Sequence, residues 1–365
     1  MKILITVPSF EIKGGVANYY NILGKHFSAD IDYFTVGSRL ENEGMLQIVK
    51  RLVKDNWDFY KKLQKNHYDI IHLNPSLGFK AVIRDGILLI IAKASGKKVV
   101  VFFHGWDHNC QRSIQRYFLP LFKIIYFQAD AFIVLASEFK YSLQSMGFRK
   151  PIYLRTTAVA DEIFHQADKN SSSQKTKNPV SRFNILFLAR IEKAKGIYEA
   201  LDAFRILKSK YPFVTLTIAG DGPEFANAEE YSHSRALEDV NFVGYVIEQA
   251  KQNAFANADV YLFPSYTEGM PISVLEAMAM GLPIVTRAVG AINDFFVNGQ
   301  MGFVTNSRDP KIFAELIEKL IQDESLCHRI STYNLQYAKE NFPASKITNG
   351  IQGIYTVVLD TVAAP

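Results

Sequence analysis

At 365 residues the chain is too long for one ordinary domain and suits two, and 48% apolar with 21% charged residues fits a globular protein rather than a disordered or fibrous one. Its two cysteines, Cys110 and Cys327, lie far apart in sequence, which excludes a disulfide framework and a cysteine-based metal site and suits a reducing cytoplasm. The net charge of +5 is uneven: residues 1–165 hold 22 Lys/Arg against 14 Asp/Glu (+8), residues 166–365 hold 19 against 22 (−3), so the first part is expected to meet something anionic.

The opening "MKILITVPSF" reads as a strand. Its apolar run is too short for a secretory h-region and leads into Gly14-Gly15 rather than a cleavage site, so no signal peptide is expected. The runs "KILITVP", "DIDYFTVG", "YDIIHLN", "KKVVVFFHG" and "DAFIVLAS" follow at helix-length intervals, several apolar on both faces, as buried parallel strands are. Between them "LQIVKRLVKDNWDFYKKLQKN" sets Lys50, Arg51, Lys54, Lys61, Lys62 and Lys65 beside Trp57 and Tyr60. Such a helix is either a solvated surface or one that lies on an anionic membrane. The two longest apolar stretches, "GILLIIAKASGKKVVVFF" and "YFLPLFKIIYF", are broken well short of the roughly 20 residues that span a bilayer.

Residues 1–165 are therefore expected to form a doubly wound α/β domain. "QADKNSSSQKTKNPVSR" (166–182) is polar and aperiodic and reads as a linker. The strand pattern restarts with "FNILFLAR", "VTLTIAGDG", "VNFVGYV", "ADVYLFPS", "PIVTRA" and "GFVTN", predicting a second Rossmann-like domain over 183–344. A last helix, about 345–365, is expected to pack back on the first domain. The two sheets are expected to face a central cleft, with ligands at the C-terminal ends of the strands.

The segment "PSYTEGMPISVLEAMAMGLPIV" (264–285) carries the clearest chemistry. A helix is predicted from about Pro271 to Met280, ended by Gly281, with Glu268 in the loop before it and Glu276 inside it. Its N-terminus, with the N–H groups of Ile272 and Ser273, suits an anion, and flanking carboxylates suit the hydroxyls of a phosphate-linked sugar. The plainer alternative is that Glu268 complements the helix dipole and Glu276 is solvated. "LFLARIEKAKG" places Arg190 and Lys195 in a loop opening a helix, as a pair for a diphosphate or as surface charges. "IAGDGPEF" and "NFVGYV" end strands on the same edge. In the first domain, Gly14-Gly15 permits close backbone approach to phosphate, and His104 ends a strand. Asp30-Ile31-Asp32 has no supporting site and is not read as a metal ligand pair. No nucleic acid partner is expected, because the lysines are scattered without a recognition motif. Gly14-Gly15 does not complete a dinucleotide fingerprint.

Taken together, "GGVANYY", His104, "ARIEKAKG", "GDGP" and "EGMPISVLEAMAMGLPIV" resemble the retaining glycosyltransferases of family 4, which have the GT-B fold. The resemblance runs over nearly the whole chain in the expected order. It implies a metal-independent transferase, without a cofactor, that takes a nucleotide-diphosphate sugar as donor and a saccharide or lipid-linked saccharide as acceptor. By resemblance, Glu268 contacts donor-sugar hydroxyls and Glu276 the nucleotide ribose. Arg190, Lys195, Gly14, Gly15, Ile272 and Ser273 then attend the diphosphate, His104 the reacting sugar, and Tyr245 and Val246 the base. Retention on one face, with the leaving phosphate helping to deprotonate the acceptor, needs no enzyme nucleophile, so the glutamates are not an acid–nucleophile pair. Two departures stand out: Gly269-Met270-Pro271 replaces the family's frequent Gly-Phe-Gly, and "TTAVADEIF" replaces its common Asn-Gly-Val. The expected setting is cell-surface polysaccharide assembly in the cytoplasm, at the inner face of the plasma membrane if the basic helix binds lipid. A nucleotide-sugar epimerase of similar two-domain shape is the alternative.

Overall fold

The computed structural model describes residues 1–11, 14–37, 44–164 and 182–361. The chain divides into two compact units, residues 1–158 with 344–365 and residues 159–343. The expected linker, apart from Arg182, lies outside the described residues. The boundary falls earlier than the expected residue 165. The reason is local: Val159 bridges Pro343, and its N–H donates to the Phe342 carbonyl at 2.9 Å, which ties the segment after Ala158 to the second unit.

The first unit contains β1 (Lys2–Val7), β2 (Asp30–Thr35), β3 (Ile70–Leu73), β4 (Ser76–Leu77), β5 (Lys98–Phe103), β6 (Gly105–Trp106), β7 (Ala131–Val134) and β8 (Ile152–Leu154). Its main sheet has the order β2-β1-β3-β5-β7-β8, and every pairing is parallel. The runs "ILITV", "IIHL" and "AFIV" are buried throughout, because helices cover both faces and leave no solvent side for alternation. β4 and β6 form a separate two-stranded ladder that clips together the loops after β3 and β5. The helix Ala344–Asp360 belongs to this unit, burying Ile347, Ile351, Ile354 and Tyr355 against it.

The second unit contains β9 (Phe183–Leu188), β10 (Val214–Ala219), β11 (Val240–Gly244), β12 (Val260–Phe263), β13 (Ile284–Arg287) and β14 (Gly302–Thr305). The order β11-β10-β9-β12-β13-β14 is parallel throughout and corresponds to 3-2-1-4-5-6, the Rossmann order. Its core joins Ile185, Phe187, Leu216, Ile218, Val260 and Leu262 of the sheet to Leu201 and Phe204 of the helix Ile197–Lys210. Both units are therefore Rossmann-like α/β units.

Candidate functional site

In the second sheet the winding reverses between β9 and β12. The loops that leave these neighbours run to opposite faces and open a crevice at the strands' C-terminal ends. Lys195 closes the 3₁₀ turn Lys193–Lys195 after β9, and Glu268 lies in the loop after β12. Two glycines let these loops close. Gly196 has φ +78, and a Cβ there would stand 2.4 Å from the Pro264 carbonyl oxygen. Gly290 has φ +52, and a Cβ there would stand 2.3 Å from the Glu268 carbonyl oxygen, while the next N–H, of Ala291, donates to the Gly269 carbonyl at 2.9 Å. Only glycine meets both the left-handed backbone and the close approach.

Glu268 is held by two donors on one oxygen. Lys195 Nζ and the buried Ser265 hydroxyl each donate to Oε1 at 2.7 Å. Glu276 is 3% exposed, and Lys251 Nζ, from the helix Glu248–Ala256, donates to its Oε1 at 2.6 Å. Among the described residues no protein donor reaches Oε2 of either carboxylate, and neither Oε2 is a sealed atom. Each glutamate thus keeps one oxygen neutralised and anchored while the other accepts from whatever enters. Tyr261 on β12 lies within electrostatic reach of both: burial, with the two carboxylates adding to it, pushes its phenol well above its usual range. Its hydroxyl donates to the Leu188 carbonyl at 2.8 Å and bonds the Ser273 hydroxyl at 2.7 Å. A carbonyl can only accept, so the single phenol proton goes there and Ser273 donates to the phenol oxygen.

The helix after Glu268 runs Ile272–Ala279, one residue shorter at each end than its sequence predicts. Pro271 is extended, with ψ 113, and stands at the N-cap; its carbonyl accepts from the Val274 N–H at 3.1 Å. The N–H groups of Ile272 and Ser273 lie in the first turn, where a helix supplies no acceptors, so they are available to an anion. With the Ser273 proton committed to Tyr261, this residue offers its backbone rather than its hydroxyl.

Arg190 lies in the loop between β9 and the 3₁₀ turn. Its side chain is 69% exposed and its Nε pairs with Glu192 at 2.8 Å. Tyr245 and Val246 follow the edge strand β11, Tyr245 exposed and Val246 half-buried. In the first unit, Gly14 caps the helix Gly15–Leu23 and a Cβ on Gly15 would meet nothing within 4 Å, so that approach is open; the preceding residues 12–13 lie outside the described residues. His104 follows β5, and its N–H donates to the Pro75 carbonyl at 3.1 Å. Its Nε2 bonds Asn74 Oδ1 at 2.9 Å, and burial pushes its pKa down to about 3.

Three partners escaped the sequence reading: Lys251, Ser265 and Asn74. Ser265 stands three residues before Glu268, a spacing at which a hydroxyl can reach a carboxylate in a loop. The other two depend on where distant elements meet. Asp32, of the Asp-x-Asp pair, takes the Tyr68 hydroxyl at 2.5 Å and lies near Lys2. Among the described residues, no group of three His, Cys, Asp or Glu side chains could hold a metal ion, and no helix is long and apolar enough to cross a membrane.

With this geometry in hand, comparison with known proteins gives consistent likenesses. The family model described as Glycosyltransferase Family 4 matches residues 19–159, and that described as Glycosyl transferases group 1 matches residues 168–337. The chain is 28% identical over 244 residues to the capsular polysaccharide biosynthesis glycosyltransferase CapM of Staphylococcus aureus, covering 65% of this chain and 64% of that protein. It is 26% identical over 233 residues to the putative colanic acid biosynthesis glycosyltransferase WcaL of Escherichia coli, covering 62% and 55%. These matches therefore span roughly half to two thirds of the curated relatives' length. Among solved structures, sucrose-phosphate synthase from Thermosynechococcus elongatus superposes with a TM-score of 0.78 at 17% identity, covering 99% of this chain and 100% of that one. Anabaena HepE in complex with UDP-glucose gives 0.71 at 18% identity, covering 98% and 100%.

Proposed function

Because the chain belongs to the family 4, group 1 glycosyltransferases, we propose that it moves a sugar, with retention, from a nucleotide-diphosphate sugar to a saccharide or lipid-linked saccharide in cell-surface polysaccharide assembly. One observation carries this reading. Two glutamates flank a helix N-terminus at the topological switch point of a Rossmann sheet, each with one oxygen tied to a lysine and the other open. That arrangement suits a ligand with a diphosphate between two sets of hydroxyls: N–H groups for the phosphates, Glu268 Oε2 for the sugar, Glu276 Oε2 for the ribose. Lys195, released from Glu268 or shared with it, neutralises the charge that grows on the leaving diphosphate, and no metal is required of the site. Arg190 reaches the same charge by turning from Glu192, a surface pair of small energetic weight. A Cβ on Gly15 would meet open space; in this proposal Gly14 and Gly15 attend a phosphate, His104 the reacting sugar, and Tyr245 and Val246 the base. Relatives named for capsular and colanic acid biosynthesis support the pathway class, and a solved neighbour in complex with UDP-glucose supports a nucleotide-sugar donor.

The acceptor side is proposed to work at the cytoplasmic face of an anionic membrane. Along the helix Met45–Lys65, Leu46, Val53 and Trp57 are exposed beside Lys50, Lys54 and Lys61. The helix Phe79–Ala94, which packs against it, exposes Ile83, and the helix Leu119–Tyr126 exposes Leu121 and Ile124 beside Lys123. Phe79 and Phe118 stand edge to face at 6.3 Å and join the second of these surfaces to the third. Apolar side chains interleaved with cations complement anionic head groups over an acyl boundary.

The function is tested by incubating the protein with UDP-, GDP- and ADP-sugars and following nucleoside diphosphate release and sugar transfer. One donor class is expected to turn over, and Glu268→Gln and Lys195→Met are expected to abolish transfer in folded protein. Full activity in both variants would overturn the site, and a changed sugar without any acceptor would identify an epimerase instead.

A further inference from the structure

A chain of buried hydrogen bonds runs behind His104, and each of its protons can be assigned. Asn74, 5% exposed after β3, donates from Nδ2 to the Thr6 carbonyl at 2.7 Å. A carbonyl accepts only, so the amide orientation is settled and Asn74 Oδ1 is the acceptor on its other side. That oxygen takes the Tyr20 hydroxyl at 2.8 Å and faces His104 Nε2 at 2.9 Å. His104 Nε2 must therefore carry a proton. Since the Tyr20 proton is spent on Asn74, His72 Nε2, 3.1 Å from the Tyr20 oxygen, must donate to it. His72 Nδ1 then accepts from the Tyr355 hydroxyl at 2.6 Å. The Asn74 N–H also donates to Thr6 Oγ1 at 3.1 Å, fixing the residue at both ends.

We infer that Asn74 is a positioning residue that holds His104 as the neutral Nε2–H tautomer and so presents Nδ1 as the acceptor of the ring. Among the described residues no donor reaches Nδ1, and it is not a sealed atom. The ring cannot turn over without breaking the Asn74 bond, and Phe102 at 3.9 Å and Tyr19 at 5.2 Å between ring centroids pack beside it. Nothing facing it favours the imidazolium. From the helix Gly15–Leu23 come the phenols Tyr19 and Tyr20, and from β3 the neutral His72; none of them carries a negative charge, and burial keeps the ring uncharged. A ligand at His104 consequently meets a hydrogen-bond acceptor: a sugar hydroxyl donates to Nδ1, and a phosphate or carboxylate is disfavoured there. This deepens the glycosyl-transfer reading and gives His104 a defined polarity within it.

The test is a nitrogen-15 histidine spectrum of the full chain, which reads the tautomer whether or not sugar is transferred. His104, assigned by loss of its signals in His104→Gln, is expected to show a protonated Nε2 and a bare Nδ1 unchanged from about pH 8 to about pH 5. Asn74→Asp places a carboxylate on Nε2 and should turn both nitrogens into protonated ones near neutral pH. Asn74→Leu should mix the two tautomers and lower kcat about 10- to 100-fold, the scale for removing the partner that orients a functional imidazole, with donor KM nearly unchanged. A wild-type ring protonated on Nδ1, or Asn74→Asp and Asn74→Leu spectra identical to wild type, would overturn the inference, and the wild-type spectrum alone suffices if a variant does not fold. A spectrum as expected in a protein that turns over no donor would leave the positioning role standing and remove the transferase reading.

Discussion

Replacing Lys251 by methionine gives the sharpest separation of an anchored carboxylate from an ordinary surface glutamate. Glu276 has a side chain 4% exposed and Lys251 one 23% exposed, with 2.6 Å between Oε1 and Nζ. Removing one member of a fully buried pair costs about 3–5 kcal/mol, because the other charge is stranded. Here Oε2 is not sealed and the lysine is partly wet, so the expectation is about 2–3 kcal/mol, discounted for screening. For a unit the size of residues 159–343 this lowers its Tm by roughly 4–12 °C. Glu276→Gln beside Lys251→Met removes the stranded charge and should recover about 1–3 kcal/mol of the loss, a coupling measurable by the double-mutant cycle. The readout can be made specific to one unit. Both tryptophans, Trp57 and Trp106, lie in the first, so calorimetry or far-ultraviolet circular dichroism should record a shift that tryptophan emission does not. If Lys251→Met is no less stable than the double variant, Glu276 is not held as a buried pair and the anchoring rationale fails.

Further outcomes follow from the same geometry. Gly196→Ala combines a left-handed φ of +78 with a Cβ 2.4 Å from the Pro264 oxygen, so it should cost about 2–3 kcal/mol and reduce transfer, measured by thermal unfolding beside activity. Burial lowers the His72 pKa from 6.5 to about 3, so the folded chain keeps it neutral while the unfolded chain protonates it below about pH 6.5. Its stabilising contribution is complete above that pH and falls by about 1.4 kcal/mol per unit towards pH 3; urea unfolding in acid should lose that slope in His72→Gln. Val53→Glu with Ile83→Glu should release the protein from anionic vesicles without altering nucleotide binding. Cosedimentation equal to wild type, or indifferent to lipid charge, would exclude the membrane face.

Much of the architecture is readable from the chain because parallel strands covered on both sides leave a plain mark. "VVVFF" and "VYLF" have no polar alternation to lose. The glutamates were legible for a different reason: a carboxylate in the otherwise apolar helix "ISVLEAMA" calls for an explanation that burial alone does not supply. What stayed hidden depends on tertiary placement. Lys251 sits in "EQAKQNAFA", a helix that reads as solvated charge until its packing sets the lysine over Glu276. Asn74 reads as a loop-former before Pro75, and only the crossing of β1, β3 and the first helix surrounds it with Thr6, Tyr20 and His104. Arg190 and Lys195 suggest a pair by proximity along the chain, but the sequence does not show that each has its own carboxylate, Glu192 for Arg190 and Glu268 for Lys195. Pro271 suits a first helical turn on propensity, but it stands one residue earlier, as the extended N-cap.

The measurement that bears most directly on the two-grip site is calorimetric titration of the accepted nucleotide sugar and of its nucleoside diphosphate into wild type, Glu268→Gln and Glu276→Gln. Glu276→Gln should weaken both ligands alike, by about 1–3 kcal/mol, because both carry the ribose. Glu268→Gln should weaken only the nucleotide sugar and leave the nucleoside diphosphate at its wild-type affinity. Equal losses for the two ligands in Glu268→Gln, or wild-type binding in Glu276→Gln, would contradict the assignment of one glutamate to the sugar and the other to the ribose.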